Sequence, residues 1–255
     1  MLTDPNFIVT AVLAVLVVGL AKGGFAGALG MLGTPILALT VSPVQAAAIL
    51  LPVLIVMDVI AVTSWRGHIK WTVIRAMLPG ALIGIATGWA TAAWVSDNLV
   101  RLIVGVIAVV FALMQFVADL NAAAPRRENT ARAVFWGTFS GFTSFVAHAG
   151  GPPFQAYALP LRLEKEFLVG TSVVYFFIVN LVKVVPYFAL GQFGTDNLRT
   201  SAALAPVAIA GVLIGIWLVR RVSQRFFYNL TYAALLAIGA KLIYDSLPVV
   251  LASGV

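Results

Sequence analysis

The sequence predicts an all-α polytopic membrane protein of two inverted structural repeats, each with a re-entrant or broken-helix hairpin and three transmembrane helices. Composition indicates the class: 62% of the 255 residues are hydrophobic and 10% are charged, whereas soluble domains carry about 25% charged residues. Long apolar runs that recur along the chain are typical of membrane-spanning helices. An internal repeat and the loop charges indicate the inverted arrangement.

The repeat preserves residues that break helices or allow close packing. One block recurs at an offset of 118 residues, with Gly19, Gly23, Gly33 and Pro35 matching Gly137, Gly141, Gly151 and Pro153. A second block recurs at an offset of 127 residues, with Pro79, Ala81, Gly84 and Gly88 matching Pro206, Ala208, Gly211 and Gly215. Two halves that share interrupted apolar segments indicate a secondary transporter.

The predicted elements follow this repeat. We expect the first repeat, residues 1–125, to contain a hairpin over 7–41 and spans over 44–64, 73–92 and 98–119. We expect the second repeat, residues 126–255, to contain a hairpin over 133–161 and spans over 168–190, 200–219 and 226–247. The hairpin arms are too short to cross a bilayer comfortably. Their glycine-rich joints, KGGFAGALG and HAGGPP, therefore predict bends that are buried in protein or line a wet cavity.

Loop charges predict that the repeats are inverted. Loop 65–72 is basic and its counterpart 191–199 is neutral, whereas loop 219–225 carries three arginines and its counterpart 93–101 is neutral. Under the positive-inside rule this swap places both the N-terminus and the C-terminus outside. Eight simple spans with both termini on one side are the alternative, because the sequence does not give the depth of the hairpins.

Several classes of function are excluded by what the sequence lacks. With no cysteine and two histidines, we expect no disulfide, no protein metal site and no cofactor. The motifs of zinc hydrolases, serine hydrolases, P-loop proteins and dinucleotide-binding proteins are missing, so we do not expect an enzyme. The net charge of +7 comes largely from short loops between spans and does not indicate nucleic-acid binding.

The hairpin joints are the first candidate substrate site. Gly23 and Gly24 belong to the first joint, Gly33 lies three residues after it, and Gly150 and Gly151 belong to the second. Half-helix ends there are expected to present free N–H groups, whose dipoles favour an anion. Gln155 follows the second joint, and its amide is a candidate donor to an oxyanion.

Ionisable residues at the joints have two interpretations each. His148 begins the second joint and is either an anion ligand and proton carrier or a histidine paired with a local carbonyl. Lys22 begins the first joint and either attracts an anion or extends to the membrane interface.

Three further polar residues lie inside spans, where they are costly without a role. Asn180 and Lys183 are three residues apart in an apolar segment, so they share one helix face and are candidate substrate ligands. Asp58 occupies roughly the place in the first half that Asn180 holds in the second. It is either a proton carrier or the salt-bridge partner of Lys183.

The chain resembles the TauE/SafE group of sulfite and organosulfonate exporters. The resemblance rests on AKGGFAGALGMLGTPIL, GFTSFVAHAGGPPFQAYAL and VNLVKVVPYFALGQF and covers nearly the whole chain. It implies a plasma-membrane protein in contact with lipid that carries a small sulfur-containing anion such as sulfite or sulfoacetate. The motifs do not specify the anion.

We therefore expect a secondary transporter that exports such an anion by alternating access. Its driving force is either proton coupling through Asp58 or His148 or the membrane potential alone. The alternative is an intramembrane enzyme or carrier for a phosphate-bearing lipid, which anion-seeking joints would serve equally well. The glycine stripes are compatible with packing within one chain or between protomers of an oligomer.

Overall fold

The computed structural model describes residues 1–24, 27–92, 96, 98–99, 102, 105–110, 112–113 and 125–253. Every regular element within these ranges is a helix. Six of the helices are long and apolar enough to cross a membrane: Pro5–Lys22, Pro43–Trp65, Trp71–Thr91, Lys165–Ala189, Thr195–Arg221 and the Arg225–Ala252 part of the last helix. The predicted all-α class is therefore confirmed.

The helices of the first half are α1 (Pro5–Lys22), α2 (Gly33–Leu37), α3 (Pro43–Trp65) and α4 (Trp71–Thr91), with a 3₁₀ turn at Gly27–Leu32. Those of the second half are α5 (Thr130–Ala147), α6 (Gly151–Ala158), α7 (Lys165–Ala189), α8 (Thr195–Arg221) and α9 (Gln224–Ser253), with a 3₁₀ turn at Leu159–Leu161. The predicted span 98–119 lies largely outside the described residues, and those described between 98 and 113 are helical.

Helix α1 begins at Pro5, two residues before the predicted start of the first hairpin. The Asp4 carboxylate accepts a hydrogen bond from the N–H of Asn6 at 3.0 Å, and Pro5 takes the first helical position, where a missing N–H costs nothing. The resulting 18 residues extend about 27 Å. The expectation that this arm is too short to cross a bilayer is therefore wrong.

The chain leaves α1 at Gly23 and Gly24, here called the first break. Gly24 has φ +106°, a left-handed conformation that favours glycine. The indole N–H of Trp65, the last residue of α3, donates to Gly23 O at 3.3 Å. The Thr10 and Thr40 hydroxyls lie 3.0 Å apart. The chain thus returns beside α1 before α3 begins, and the first break lies near the end of α3.

A second break, His148–Gly150, separates α5 from α6. His148 has φ +52° and ends α5. Its Nε2 lies 2.9 Å from Ala47 O, near the beginning of α3. The chain then returns, because the N–H of Arg126 donates to Pro160 O at 2.9 Å beside the start of α5. The two breaks therefore lie near opposite ends of α3.

Glycines bring helices of the two halves into close parallel contact. Gly19 and Gly23 of α1 lie against Gly211 and Gly215 of α8, and a Cβ on Gly19 would be 2.9 Å from Gly211 Cα. Helices α4 and α5 pack in the same way, since a Cβ on Gly84 would lie 2.0 Å from Thr138 O. The glycine stripes thus allow backbones from opposite halves to touch.

We expect Gly84→Ala to destabilise the protein, because the added methyl would meet a backbone carbonyl that cannot move away cheaply. The loss is about 1–3 kcal/mol, as for other overpacked sites, and it would lower the melting temperature of the detergent-solubilised protein. Gly67→Ala is the control, because a Cβ there has nothing within 4 Å. Equal melting temperatures for the two variants would contradict the packing argument.

Candidate functional site

A cavity of about 80 Å³ lies between the two breaks. One buried water needs about 10–15 Å³ of such space, so the cavity has room for about five to eight water-sized groups. The walls come from α1 and the turn after it, α3, the second break with α5 and α6, α7, and α9: Ala21, Lys22, Gly24, Gly30, Met31; Leu54; Ser144, His148, Gly151, Phe154, Gln155; Leu168, Val169, Ser172, Val173, Phe176, Asn180; Phe227, Thr231.

Asp58 lies directly behind this wall, with 0% of its surface exposed. Its Oδ1 accepts a hydrogen bond from Lys22 Nζ at 2.6 Å, and its Oδ2 accepts one from Asn180 Nδ2 at 2.6 Å. One carboxylate thus joins α1, α3 and α7. Among the described residues, the salt-bridge partner of Asp58 is Lys22, so the expected alternative of a bridge to Lys183 is wrong.

The ammonium of Lys22 points into the protein and not to the membrane interface. Its side chain is 14% exposed and lines the cavity. Its Nζ lies 5.4 Å from the centre of the Phe176 ring, within the range of a cation–π contact. An ammonium can donate three hydrogen bonds. Among the described residues, Asp58 accepts one of them from Lys22.

Lys183 is fully buried and contacts the second break. Its Nζ lies 2.9 Å from Ser144 O, 3.1 Å from Ser144 Oγ and 2.8 Å from His148 Nδ1. These contacts use all three of its donors. Ser144 and His148 line the cavity. Lys183 therefore holds two residues of the wall but does not line the cavity itself.

The partners of His148 define its protonation. Its Nε2 faces the carbonyl of Ala47 and must carry hydrogen, whereas its Nδ1 faces the Lys183 ammonium and accepts. The ring is therefore neutral in this arrangement. The backbone is left-handed at φ +52°, a conformation that costs a non-glycine residue on the order of 1 kcal/mol or more. The two ring contacts and the hydroxyls of Ser140 and Thr143, which donate to Gly150 O and Ala149 O, stabilise it.

The structure divides the sequence-predicted residues into two groups. Six line the cavity: Lys22, Gly24, His148, Gly151, Gln155 and Asn180. The others lie around it. Gly23 packs against α8, Gly33 against Val18, and Gly150 against Ser140 and Ser144, while Asp58 and Lys183 lie behind the wall.

The breaks offer fewer backbone donors than predicted. The N–H groups of Gly23 and Gly24 donate to Gly19 O and Ala21 O, because this break follows the carboxyl end of a helix. Helix α6 begins at Gly151, but Pro152 and Pro153 follow and carry no N–H. Gly151 is thus the cavity-lining residue at this helix start that has an N–H group.

Gln155 carries an unmet hydrogen-bonding group. The residue is 9% exposed, and its buried Oε1 has no hydrogen-bond partner among the described residues. Buried polar atoms are normally paired, so an unpaired amide oxygen on a cavity wall indicates a place for a water or for a ligand group that donates a hydrogen bond.

Sequence reasoning missed part of the wall. Ser172 and Phe176 recur at a spacing of four residues before Asn180, so a helical-stripe analysis of α7 could have found them. Phe227 and Thr231 of α9 carry no such signal. They reach the cavity because the tertiary fold brings α9 beside α7 and beside the 3₁₀ turn at Gly27–Leu32.

The site pairs one cation on the cavity wall with one buried anion. Lys22 lies on the wall and Asp58 lies behind it, while Lys183 Nζ and His148 Nδ1 lie 2.8 Å apart at the second break. Within the described ranges, no group of three or more histidine, aspartate or glutamate residues could hold a metal ion. The arrangement favours a small anion near Lys22 and Asn180.

The comparison with known families gives an independent result. The family model described as "Sulfite exporter TauE/SafE" matches residues 11–242. No curated protein and no solved structure is similar enough to the chain to count as a match.

We expect Lys22→Met to destabilise the protein strongly, because it leaves the buried Asp58 carboxylate without its cation. Removing one partner of a buried pair costs about 3–5 kcal/mol, which would lower the melting temperature in detergent. The double variant Lys22→Met/Asp58→Asn should regain much of this loss.

The matched control is Lys241→Met. Lys241 forms a salt bridge with Asp245 on an exposed helix face, with the lysine side chain 67% exposed, where such pairs contribute about 0.3–0.5 kcal/mol. A double variant as unstable as Lys22→Met would contradict the pairing.

Proposed function

Because the chain belongs to the TauE/SafE sulfite exporter family, we propose that this multi-pass membrane protein is a secondary transporter that exports a small sulfur-containing anion. The proposed substrate is sulfite or an organosulfonate such as sulfoacetate, and the proposed location is the plasma membrane. The observation that carries the proposal is the cavity between the two breaks, with the Lys22 ammonium and the Asn180 amide on its wall.

The proposed architecture is two inverted repeats, residues 1–125 and 126–255. The return contacts support it, since the Thr10–Thr40 contact and the Arg126–Pro160 contact close hairpins whose breaks lie near opposite ends of α3. Such hairpins would let one repeat rock against the other and expose the cavity to each side in turn.

The orientation we propose places the Trp65 end of α3 in the cytoplasm and both termini outside. Basic residues of both halves support it. Lys70 lies 3.7 Å from Glu128 at the start of the second half, and Arg220 lies 3.5 Å from Ser64 O. Arg66 and Arg221 belong to the same end, so the positive-inside rule applies to both repeats together.

We assign the direct anion contacts to Lys22, Asn180, Gln155 and Gly151, because these residues line the cavity. Gly24 also lines it, but its N–H donates to Ala21 O. Lys183 and His148 contact each other at the second break and shape this part of the site. Proton coupling through Asp58 or His148 is part of the proposal, since both lie at the site.

A lipid-phosphate enzyme or carrier is less well supported. The cavity volume of about 80 Å³ suits a small anion, and no arginine is among its described lining residues. Arginine is the usual partner for bidentate phosphate recognition. The family description, which names an exporter, also favours transport over catalysis.

We expect sulfite or sulfoacetate to stabilise the purified protein in a thermal-shift panel with thiosulfate, sulfolactate, taurine and sulfate. A ligand at 100 times its dissociation constant stabilises by about 2.7 kcal/mol. Lys22→Gln should need at least about ten times the anion concentration to reach the same shift in melting temperature, because it removes the cation on the cavity wall.

Lys70→Gln is the control, since Lys70 is 44% exposed and belongs to the surface pair with Glu128. Uptake of the stabilising anion into proteoliposomes should be similar for the wild type and Lys70→Gln and slower for Lys22→Gln. The proposal fails if no anion of the panel shifts the melting temperature, or if Lys22→Gln responds like the wild type.

A further inference from the structure

Two polar donors on the cavity wall are bound to one hidden acceptor. Lys22 Nζ and Asn180 Nδ2 each lie 2.6 Å from a different oxygen of Asp58. Both donors line the cavity, whereas Asp58 is fully buried behind them. In the structure, Asp58 thus accepts hydrogen bonds from the same two donors that an oxyanion in the cavity would use.

We propose that Asp58 is a built-in competitor of the transported anion and takes up one proton each time that anion binds. The inference rests on the proposed function and adds the coupling reaction to it. When the anion enters, a proton from solution adds to the Asp58 carboxylate, and the N–H groups of Lys22 and Asn180 change from Asp58 to the anion. When the anion leaves, the proton leaves Asp58 and the original contacts form again.

The physical reason is that two negative groups would share one ammonium. Two oxygens bonded to the same Nζ lie within about 4–5 Å of each other. Like charges this close favour the protonation of one of them, as in paired carboxylates. The proton goes to Asp58, because it is buried away from water, where an unpaired carboxylate is costly.

Two lysines and one neutral amide surround Asp58. Lys22 from α1 and Lys183 from α7 are the charged groups that act on it, and Asn180 is its neutral partner. From the second break, His148 contacts Lys183 and Ala47. The nearest contact of a charged α8 residue with α3 is Arg220 at Ser64 O, more than one helical turn beyond Asp58.

His148 is a poorer proton carrier than Asp58. Its Nε2 already carries hydrogen toward Ala47 O, and its Nδ1 accepts from Lys183. A second proton on the ring would break the contact with Lys183 and place two cations 2.8 Å apart.

Charge counting gives the consequence for transport. One monoanion and one proton together add no charge, so a site loaded with a monoanion has the same net charge as the empty site. Transport of a monoanion would then be electroneutral, whereas a dianion such as sulfoacetate would still move one negative charge. Because the proton travels with the anion, export of a monoanion would require an outward anion gradient that exceeds any inward gradient of protons.

The test is calorimetric titration of the full-length protein in detergent with sulfoacetate between pH 6 and 8. Both charges of sulfoacetate are constant in this range, since carboxyl groups titrate near about pH 4. Where Asp58 is ionised in the empty site, the dissociation constant of the wild type should rise up to about tenfold per pH unit. That of Asp58→Asn should stay constant, and at pH 8 the variant should bind more tightly than the wild type.

Titrations in two buffers of different ionisation enthalpy count the protons directly. One proton taken up per sulfoacetate by the wild type supports the inference, and none overturns it. If Asp58→Asn does not fold, a count of zero for the wild type still overturns the inference. If only sulfite binds, the number of protons taken up per sulfite is compared between the wild type and Asp58→Asn. Protons that sulfite itself gains or loses then contribute equally to both counts.

The outcomes separate the inference from the proposed function. Binding with the same pH dependence in both proteins overturns the role of Asp58 and leaves the anion transporter standing. Failure of both sulfite and sulfoacetate to bind the wild type contradicts the proposed substrate class, and the coupling inference falls with it.

Discussion

The pairing of Asp58 is the interaction on which the interior of this protein depends. A carboxylate inside an apolar helix bundle is costly unless cations and hydrogen-bond donors surround it. Lys22 and Asn180 meet that requirement at 2.6 Å each. Because they come from α1 and α7, the requirement also determines how the first helix of one half meets a central helix of the other. The cavity forms where these partners come together.

Close backbone packing makes this meeting possible. A membrane interior gives little hydrophobic driving force between helices, so small residues and van der Waals contact provide the association. Here the stripes pair across the halves, α1 with α8 and α4 with α5, and several added Cβ atoms would lie within 3 Å of a backbone atom. The arm that carries Lys22 is thus fixed by a helix of the other half.

Much of the frame could be predicted from the sequence, because it follows from composition and repeats. The α3 helix was expected over 44–64 and is found at Pro43–Trp65, and both breaks lie at glycine-rich joints. The partners of the charged residues could not be predicted, since Lys22 and Asp58 are 36 positions apart and spacing says nothing about which cation reaches Asp58. That the N–H groups of Gly23 and Gly24 are already bonded within the chain could not be predicted either. These glycines follow the end of a helix, and a glycine pattern alone does not distinguish the end of a helix from its beginning.

The repeat also explains why the charges differ between the halves. At the offset of 118 residues, Lys22 matches Ser140 and His148 matches Gly30, so the duplicated frame carries unlike side chains at its two breaks. One cation, Lys22, lines the cavity, while the other, Lys183, stays behind Ser144 and His148. A transporter must release its anion after each cycle, and an unpaired buried ammonium would oppose that release. In the proposed cycle, Asp58 offers Lys22 a replacement acceptor, so the empty site is left with a paired cation and the anion can depart.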